Sequence, residues 1–487
     1  MKKKILVSAL ALTTALSMAA CGSSSAATST AASAAAETAA GSETAEAAES
    51  TAAEAAESTA EEAPAEAAED AIPENEISGN ADAEDAFVVW GWNTDFETIK
   101  GLLEKEDPEI GKRLVLVNCG GSNFYQDKID AILDNPSDKL YPDLMLLEAG
   151  YVQKYVQSDY LLSLEDLGIT SADTANQFQY NIDLGSADGV QKASFWQATP
   201  GSLTIRADLA EKYLGTTDQA ELEQMFSSWD SILEASRKVN EASEGKVKLF
   251  SGYDDLKYIF LNGSRTQGWY DENDNIVMDP AMEEYMEYAK VLYDEDLTFN
   301  TTMWDTDWAA LKDGDGETTE ACIAFCSCPW YTYWCLTDTW NANTILVDAP
   351  VQFYWGGTGL AATKDCSDKE AAAQIIKTVT CDADFMAKIY QANGDYVNNS
   401  EAIKTVVDQS LAGTSAFTCF NDQNIYEFYS TRGEGIDVSL VRPEDATINE
   451  SLFPAAVTAY CESGDMDKAV ADFKAQVHDT YSYLNAG

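Results

Sequence analysis

Residues 141–167 read YPDLMLLEAGYVQKYVQSDYLLSLEDL. The apolar run Leu144, Met145, Leu146, Leu147 follows Pro-Asp and stops at Glu148. A short unbroken run bounded by turn residues suits a strand covered on both faces, as in a parallel sheet. Ala149 and Gly150 break the run, and YVQKYVQSDYL takes up helical spacing. Strand, break, helix is the unit of an α/β layer fold.

Working outward, the unit recurs. AFVVWGW from Ala86 predicts a strand, and FETIKGLLEKE a helix with Phe96, Ile99, Leu102 and Leu103 spaced along it. RLVLVN predicts another strand, and SNFYQDKIDAILDN an amphipathic helix with Ile129, Ile132 and Leu133 on one face. In such sheets ligands bind beyond the carboxyl ends of the strands. The loops there are 92–95, 119–122 and 148–151, polar groups beside aromatics. After ATPG at 198–201, SLTIRADLAEKYL opens a second block with a strand and a helix. WDSILEASRKVNE and MEEYMEYAKVLYDEDL read as further helices, and residues 322–328 as a strand. Pro329 suits the first turn of a helix. That helix would put Trp330, Tyr333 and Trp334 on one face, Trp330 outward and the other two anchoring it beneath. Ser367 and Glu370 stand at capping-box spacing.

The N-terminus, MKKKILVSALALTTALSMAAC, has three lysines, a short apolar run and small residues. It reads as a secretory signal, too short to span a membrane. From Gly22 to Asp85 the chain holds sixteen carboxylates and no aromatic, Lys or Arg. With no apolar stripe to bury, that segment predicts a disordered tether, roughly 40–50 Å across as a flexible coil. No second long apolar run follows, which excludes a membrane-spanning domain.

Without the signal lysines and tether carboxylates the balance is 27 basic to 67 acidic side chains, still −40. A surface of that sign excludes nucleic acid and anionic lipid as partners. His478 is the sole histidine, so a His-based triad or a multi-His zinc site is excluded. The acidic stretches at 271–274 and 313–317 lack the twelve-residue calcium pattern and read as turns. No metal or cofactor is expected. Nine cysteines remain besides Cys21, an odd number, expected as buried free thiols.

All eleven tryptophans lie between Trp90 and Trp355, and CPWYTYWCLTDTW at 328–340 gathers five Trp and Tyr residues. The order WGWN, YPDLMLLEAGYVQKYVQSDYLLSLEDL, strand-CPW-helix and WGGTGLAATKDCSDKEAA resembles extracellular solute-binding proteins of carbohydrate ABC importers, the family 1 or maltose-binding-like group. The family carries Gly or Asn-Gly before Pro-Trp, where Cys328 stands here. Met18-Ala19-Ala20-Cys21 resembles a bacterial lipobox, which implies a lipid on Cys21.

The resemblance implies an α/β, type II periplasmic-binding-protein-like fold, two hinge-linked parallel-sheet lobes with extra C-terminal helices. The boundaries expected are a signal peptide at 1–21, a tether at 22–85, a first lobe of 86–200 and 350–396, and a second of 201–349 and 397–487. Crossings would fall near Pro200-Gly201, Ala349-Pro350 and residues 393–396. The cleft positions carried over are Trp92, Asn93, Asp95, Glu148, Tyr151, Trp330, Trp355 and Gly357, with Trp269, Trp304 and Asp305 added from loop context. The expected partners are a carbohydrate and permease subunits, with a lipid-anchored monomer on the extracellular face of the cytoplasmic membrane.

A pyranose offers an apolar C–H face and a polar rim, matched by indole rings and by Asp, Glu and Asn. Trp90, Trp196 and Trp229 suit a packed core equally well. Two other classes fit the composition. A secreted glycoside hydrolase or lyase needs only two suitably spaced carboxylates in an aromatic cleft. A cell-surface adhesin needs no small ligand.

Overall fold

The computed structural model describes residues 73–408 and 423–486. The signal segment, Cys21 and the tether up to residue 72 lie outside the described residues. The tether expected to reach residue 85 ends earlier. Strand β1 (Glu76–Ser78) pairs antiparallel with β3 (Leu114–Asn118), covering that strand's free edge. Lys128 Nζ donates to the Pro73 carbonyl at 2.6 Å and to Asn75 Oδ1 at 2.9 Å, tying the segment down.

The first lobe is built on a six-stranded sheet. Its strands are β1, β3, β2 (Phe87–Gly91), β4 (Leu144–Glu148), β9 (Thr358–Ala362) and β5 (Ala193–Phe195), in that spatial order. β2, β3 and β4 run parallel, as their continuous apolar runs predict. The sheet is nevertheless mixed, because β9 is antiparallel to both β4 and β5. Side chains alternate between its faces. Phe87, Val89, Leu114, Leu116, Leu144 and Leu146 pack under helices Asp95–Glu106, Lys369–Thr380 and Ala383–Asn393. Val88, Trp90, Val115, Val117, Met145 and Leu147 pack under Ser122–Leu133 and Val152–Val156.

The second lobe departs from the parallel-sheet expectation. Its main sheet is β7 (Ala324–Ser327), β6 (Ser202–Arg206) and β8 (Thr344–Val347), antiparallel throughout. Leu203, Ile205, Phe325 and Val347 join a core closed by helices Trp229–Ala242, Pro280–Asp294, Phe453–Ser463 and Met466–Thr480.

The two passages between sheets, 196–201 and 348–357, lie side by side. Pro200 bridges Tyr354, the Gly201 N–H donates to the Phe353 carbonyl at 2.7 Å, and the Trp355 N–H donates to the Thr199 carbonyl at 3.1 Å. A Cβ on Gly201 would stand 2.2 Å from the Phe353 ring, so only glycine permits this approach. The third crossing falls later than residues 393–396. Val397, Ile403, Val406, Ile425 and Tyr429 still pack in the first lobe, and the second-lobe core resumes at Ile448.

Eight cysteines among the described residues are free, all buried except the half-buried Cys381.

Candidate functional site

Where the lobes meet, two aromatic groups face a single carboxyl. On the first lobe, Trp92 follows β2 and Tyr151 follows β4. Trp92 meets Tyr125 edge-on at 5.2 Å and Tyr151 at 6.0 Å. Tyr125 is fixed by donating to the Leu146 carbonyl at 2.6 Å, whereas the buried Tyr151 hydroxyl has no hydrogen-bond partner among the described residues.

The second group collects Trp304, Trp330, Trp355 and Tyr258. Trp330 follows β7 through Pro329 and caps a four-residue helix, Tyr331–Trp334. Its indole N–H donates to the Trp355 carbonyl at 3.0 Å. The rings of Trp304 and Trp330 are nearly parallel, 17° apart with centroids at 6.1 Å, and Trp355 meets Trp330 at 4.8 Å. Trp304 adopts φ +76°, a strained value for a bulky residue, and so holds its ring beside Trp330. Tyr258 stacks on Trp355 at 5.0 Å and donates to Glu450 at 3.1 Å.

Glu148 joins the groups. A Cβ on Gly356 would lie 3.1 Å from Glu148 Oε1 and 3.4 Å from Trp330 Nε1, and Gly356 has φ +69°. Glycine therefore lets the backbone at 356 come close to both atoms, where a side chain would crowd Glu148. Glu148 Oε2 accepts the Gly150 N–H at 2.7 Å. Desolvation pushes the Glu148 carboxyl up to about 8, helped by the charge of Glu450, with the Gly150 N–H opposing.

Several expected contact residues are buried or engaged within the fold. Trp269 is 1% exposed, packed between Phe453 and Phe473, and donates to Asn449 Oδ1 at 2.8 Å, so it belongs to the second-lobe core. Trp355 is 4% exposed, because Trp330 and Tyr258 occupy the ring faces expected to meet a ligand. Gly357 is buried, its carbonyl accepting the Ala149 N–H at 2.9 Å. Asp95 is 9% exposed and turned into the fold, where it accepts from Asn93 Nδ2 at 2.8 Å, which also engages Asn93. Burial, followed by the charge of Asp395, raises Asp95 to about 7. Asp305 is half-buried at the start of helix Thr306–Asp313 and makes no side-chain cap.

Trp334, expected as an anchor, is 57% exposed, and Tyr331 is the buried ring of that turn. The expectation for the Tyr333 side chain falls outside the described residues. Tyr258 and Glu450 have no signal in the sequence, lying 192 residues apart and away from any strand end. Asp315 accepts the N–H groups of Glu317, Thr318 and Thr319, and Asp271 those of Asn273 and Asn275, so both acidic stretches close turns.

A family model described as bacterial extracellular solute-binding protein matches residues 111–411. No curated protein sequence matches the chain. Among solved structures, one of an extracellular solute-binding protein family 1 is 15% identical with TM-score 0.68, over 82% of this chain and 100% of that one. An ABC-transporter-associated binding protein from B. animalis subsp. lactis Bl-04, in complex with β-1,6-galactobiose, is 15% identical with TM-score 0.64, over 82% and 99%. The galacto-N-biose/lacto-N-biose I-binding protein of an ABC transporter from Bifidobacterium longum, in complex with lacto-N-biose, is 14% identical with TM-score 0.63, over 83% and 100%. At these identities the likeness establishes the two-lobed α/β fold.

Proposed function

The chain belongs to the bacterial extracellular solute-binding proteins, a family of binding proteins and not enzymes, and from that premise we propose that it captures an oligosaccharide between its lobes for an ABC importer. The observation that carries this reading is the half-buried Trp330 ring, aligned with Trp304 and bordered by the carboxyl of Glu148. The indole takes the apolar face of a pyranose, and the carboxyl takes a hydroxyl at its rim. Covering an indole face with a sugar removes roughly 50–100 Å² of apolar surface from water, worth about 1–3 kcal/mol. Trp304 lines the same junction beside Trp330, Tyr258 supports it behind Trp355, and Trp92 and Asp305 are assigned to its rim as part of this reading. The paired passages at 196–201 and 348–357 serve as the hinge on which the lobes close.

The anchoring reading belongs to the same proposal. Cleavage before Cys21 and lipidation of its thiol would hold the protein as a monomer on the extracellular face of the membrane. The acidic tether would let it reach its permease. Calorimetric titration against a glycan panel, with product analysis, tests the function. Saccharide binding without turnover is expected. Turnover would contradict it in favour of a hydrolase, and silence across the panel would favour an adhesin.

A further inference from the structure

We infer that the saccharide bears an amino group, and that its ammonium pairs with Glu148 beside Trp330. The inference rests on the carbohydrate reading above and names the chemical class of the sugar.

Four observations converge. First, the Glu148 carboxyl is half satisfied. Oε2 holds the Gly150 N–H, while Oε1 accepts no hydrogen bond from the described residues and stands close to Gly356 and the Trp330 indole. Second, the neighbouring cations are already engaged. Lys257 lies 3.4 Å from Glu450 and 3.7 Å from Asp254, and Arg265 is buried against Asp445 at 2.7 Å. A carboxyl at a lobe junction without a counter-charge is left for a cation brought from outside. Third, aromatic ring faces attract cations, and Trp330, Trp304, Trp355 and Tyr258 stand 4.8–6.1 Å from their neighbours in this group. Fourth, the chain carries a formal net charge of −53, so an acidic sugar would be repelled on approach, and Lys257 and Arg265, already paired, offer it no free cation.

Pairing has a signature that hydroxyl recognition lacks. Desolvation keeps Glu148 protonated at neutral pH, with a value of about 8. The groups whose charges couple to it are Glu450, Tyr151, Tyr258 and Tyr354, and burial holds all three tyrosines above their ordinary value. When an ammonium enters, the Glu148 proton leaves to solvent and the carboxylate remains. Each bound amine should therefore release about one proton. A neutral sugar should release none.

The test uses the full chain and matched di- and trisaccharides, in α and β linkages, differing only at C2: amine, acetamide or hydroxyl. Titrations at pH 6.5, below the range of a free amine, in buffers of different ionisation enthalpy, give affinity and proton release together. The amine members should bind roughly tenfold to a hundredfold more tightly than their hydroxyl partners. That preference should persist at 0.5 M salt, release about one proton, and vanish in Glu148→Gln. Should that variant fail to fold, proton release by the wild-type protein still decides. Hydroxyl or acetamide members binding as tightly would overturn this inference and leave the carbohydrate reading standing. A preference lost at high salt, unaccompanied by proton release, or surviving Glu148→Gln would also overturn it. Silence from every sugar would overturn both.

Discussion

Two carboxyl groups stand at the carboxyl ends of neighbouring strands, Asp95 just beyond β2 and Glu148 closing β4. Both are pushed upward, to about 7 and about 8, with desolvation the first cause in each. They differ in where their donors come from. Asp95 is enclosed and coupled to Asp395, which accepts from Trp196 Nε1 at 3.3 Å, Gln197 Nε2 at 2.9 Å and Asn393 Nδ2 at 3.0 Å. That pair joins three chain segments of the first lobe. Glu148 has one local backbone donor, and its Oε1 has no donor among the described residues. The same strand-end position thus serves the fold at β2 and, in the proposed reading, the ligand at β4. The supply of donors separates the roles better than the residue type does.

The largest effect should come from breaking the first pair. Asp395→Leu strands two buried donors and a half-buried one, costing about 3–5 kcal/mol of stability in urea unfolding at pH 5. A loss under about 1 kcal/mol would remove the structural role of the pair.

Next is Trp330→Ala, which should weaken sugar binding roughly tenfold to a hundredfold. Because its N–H is bound to the Trp355 carbonyl and its ring packs on two others, it should also cost about 1–2 kcal/mol of stability. Calorimetry and melting on one preparation read both.

A third test uses pH. Asp95 is raised from 3.8 to about 7 on folding, so the folded state holds its proton more tightly than the unfolded chain. Stability from this group is complete below about pH 4, falls as pH rises to about 7, and is level above. Glu148, at about 8, and Asp255, raised to about 6 by burial, slope the same way. Asp95→Asn has no proton to lose, so it should flatten part of the slope and gain about 1–2 kcal/mol at pH 8. Unfolding curves at pH 4.5 and pH 8 check this.

The smallest effect is expected at Trp334, whose exposure predicts a change within about 0.5 kcal/mol for Trp334→Ala in the same melts.

The parallel strands of the first lobe were legible because helices cover both faces, which demands unbroken apolar runs at 87–91, 114–118 and 144–148. Pairing direction was not, since β9 has the same apolar composition whichever way it runs. The helix after β4 stops at Val156, short of its spacing, because Ser158 bonds the Tyr155 carbonyl at 2.6 Å and Leu161 bridges Thr363. Asp368, and not Ser367, caps helix Lys369–Thr380, since the Ser367 N–H is held by Asp143 Oδ1 at 2.6 Å. Of the candidate site, Glu148 and Trp330 were named from the resemblance and Trp304 from loop context, whereas Trp269 and Asp95, named beside them, are packed into the fold. A tryptophan in a loop reads the same whether its ring faces outward or a core reaches out to cover it. Trp334 misled because the Tyr331–Trp334 helix makes a single turn, too short for Trp330 and Trp334 to act as one face.

The most direct test of the contrast is the affinity of one tightly bound saccharide for Glu148→Gln and for Asp95→Asn, with melting temperature measured alongside. Glu148→Gln should lose roughly tenfold to a hundredfold in affinity, with little change in melting at pH 5, where the Glu148 carboxyl is protonated. Asp95→Asn should bind as the wild type does and shift its melting with pH. Equal losses of affinity in both, or a loss confined to Asp95→Asn, would contradict the assignment of Glu148 to the ligand and Asp95 to the fold.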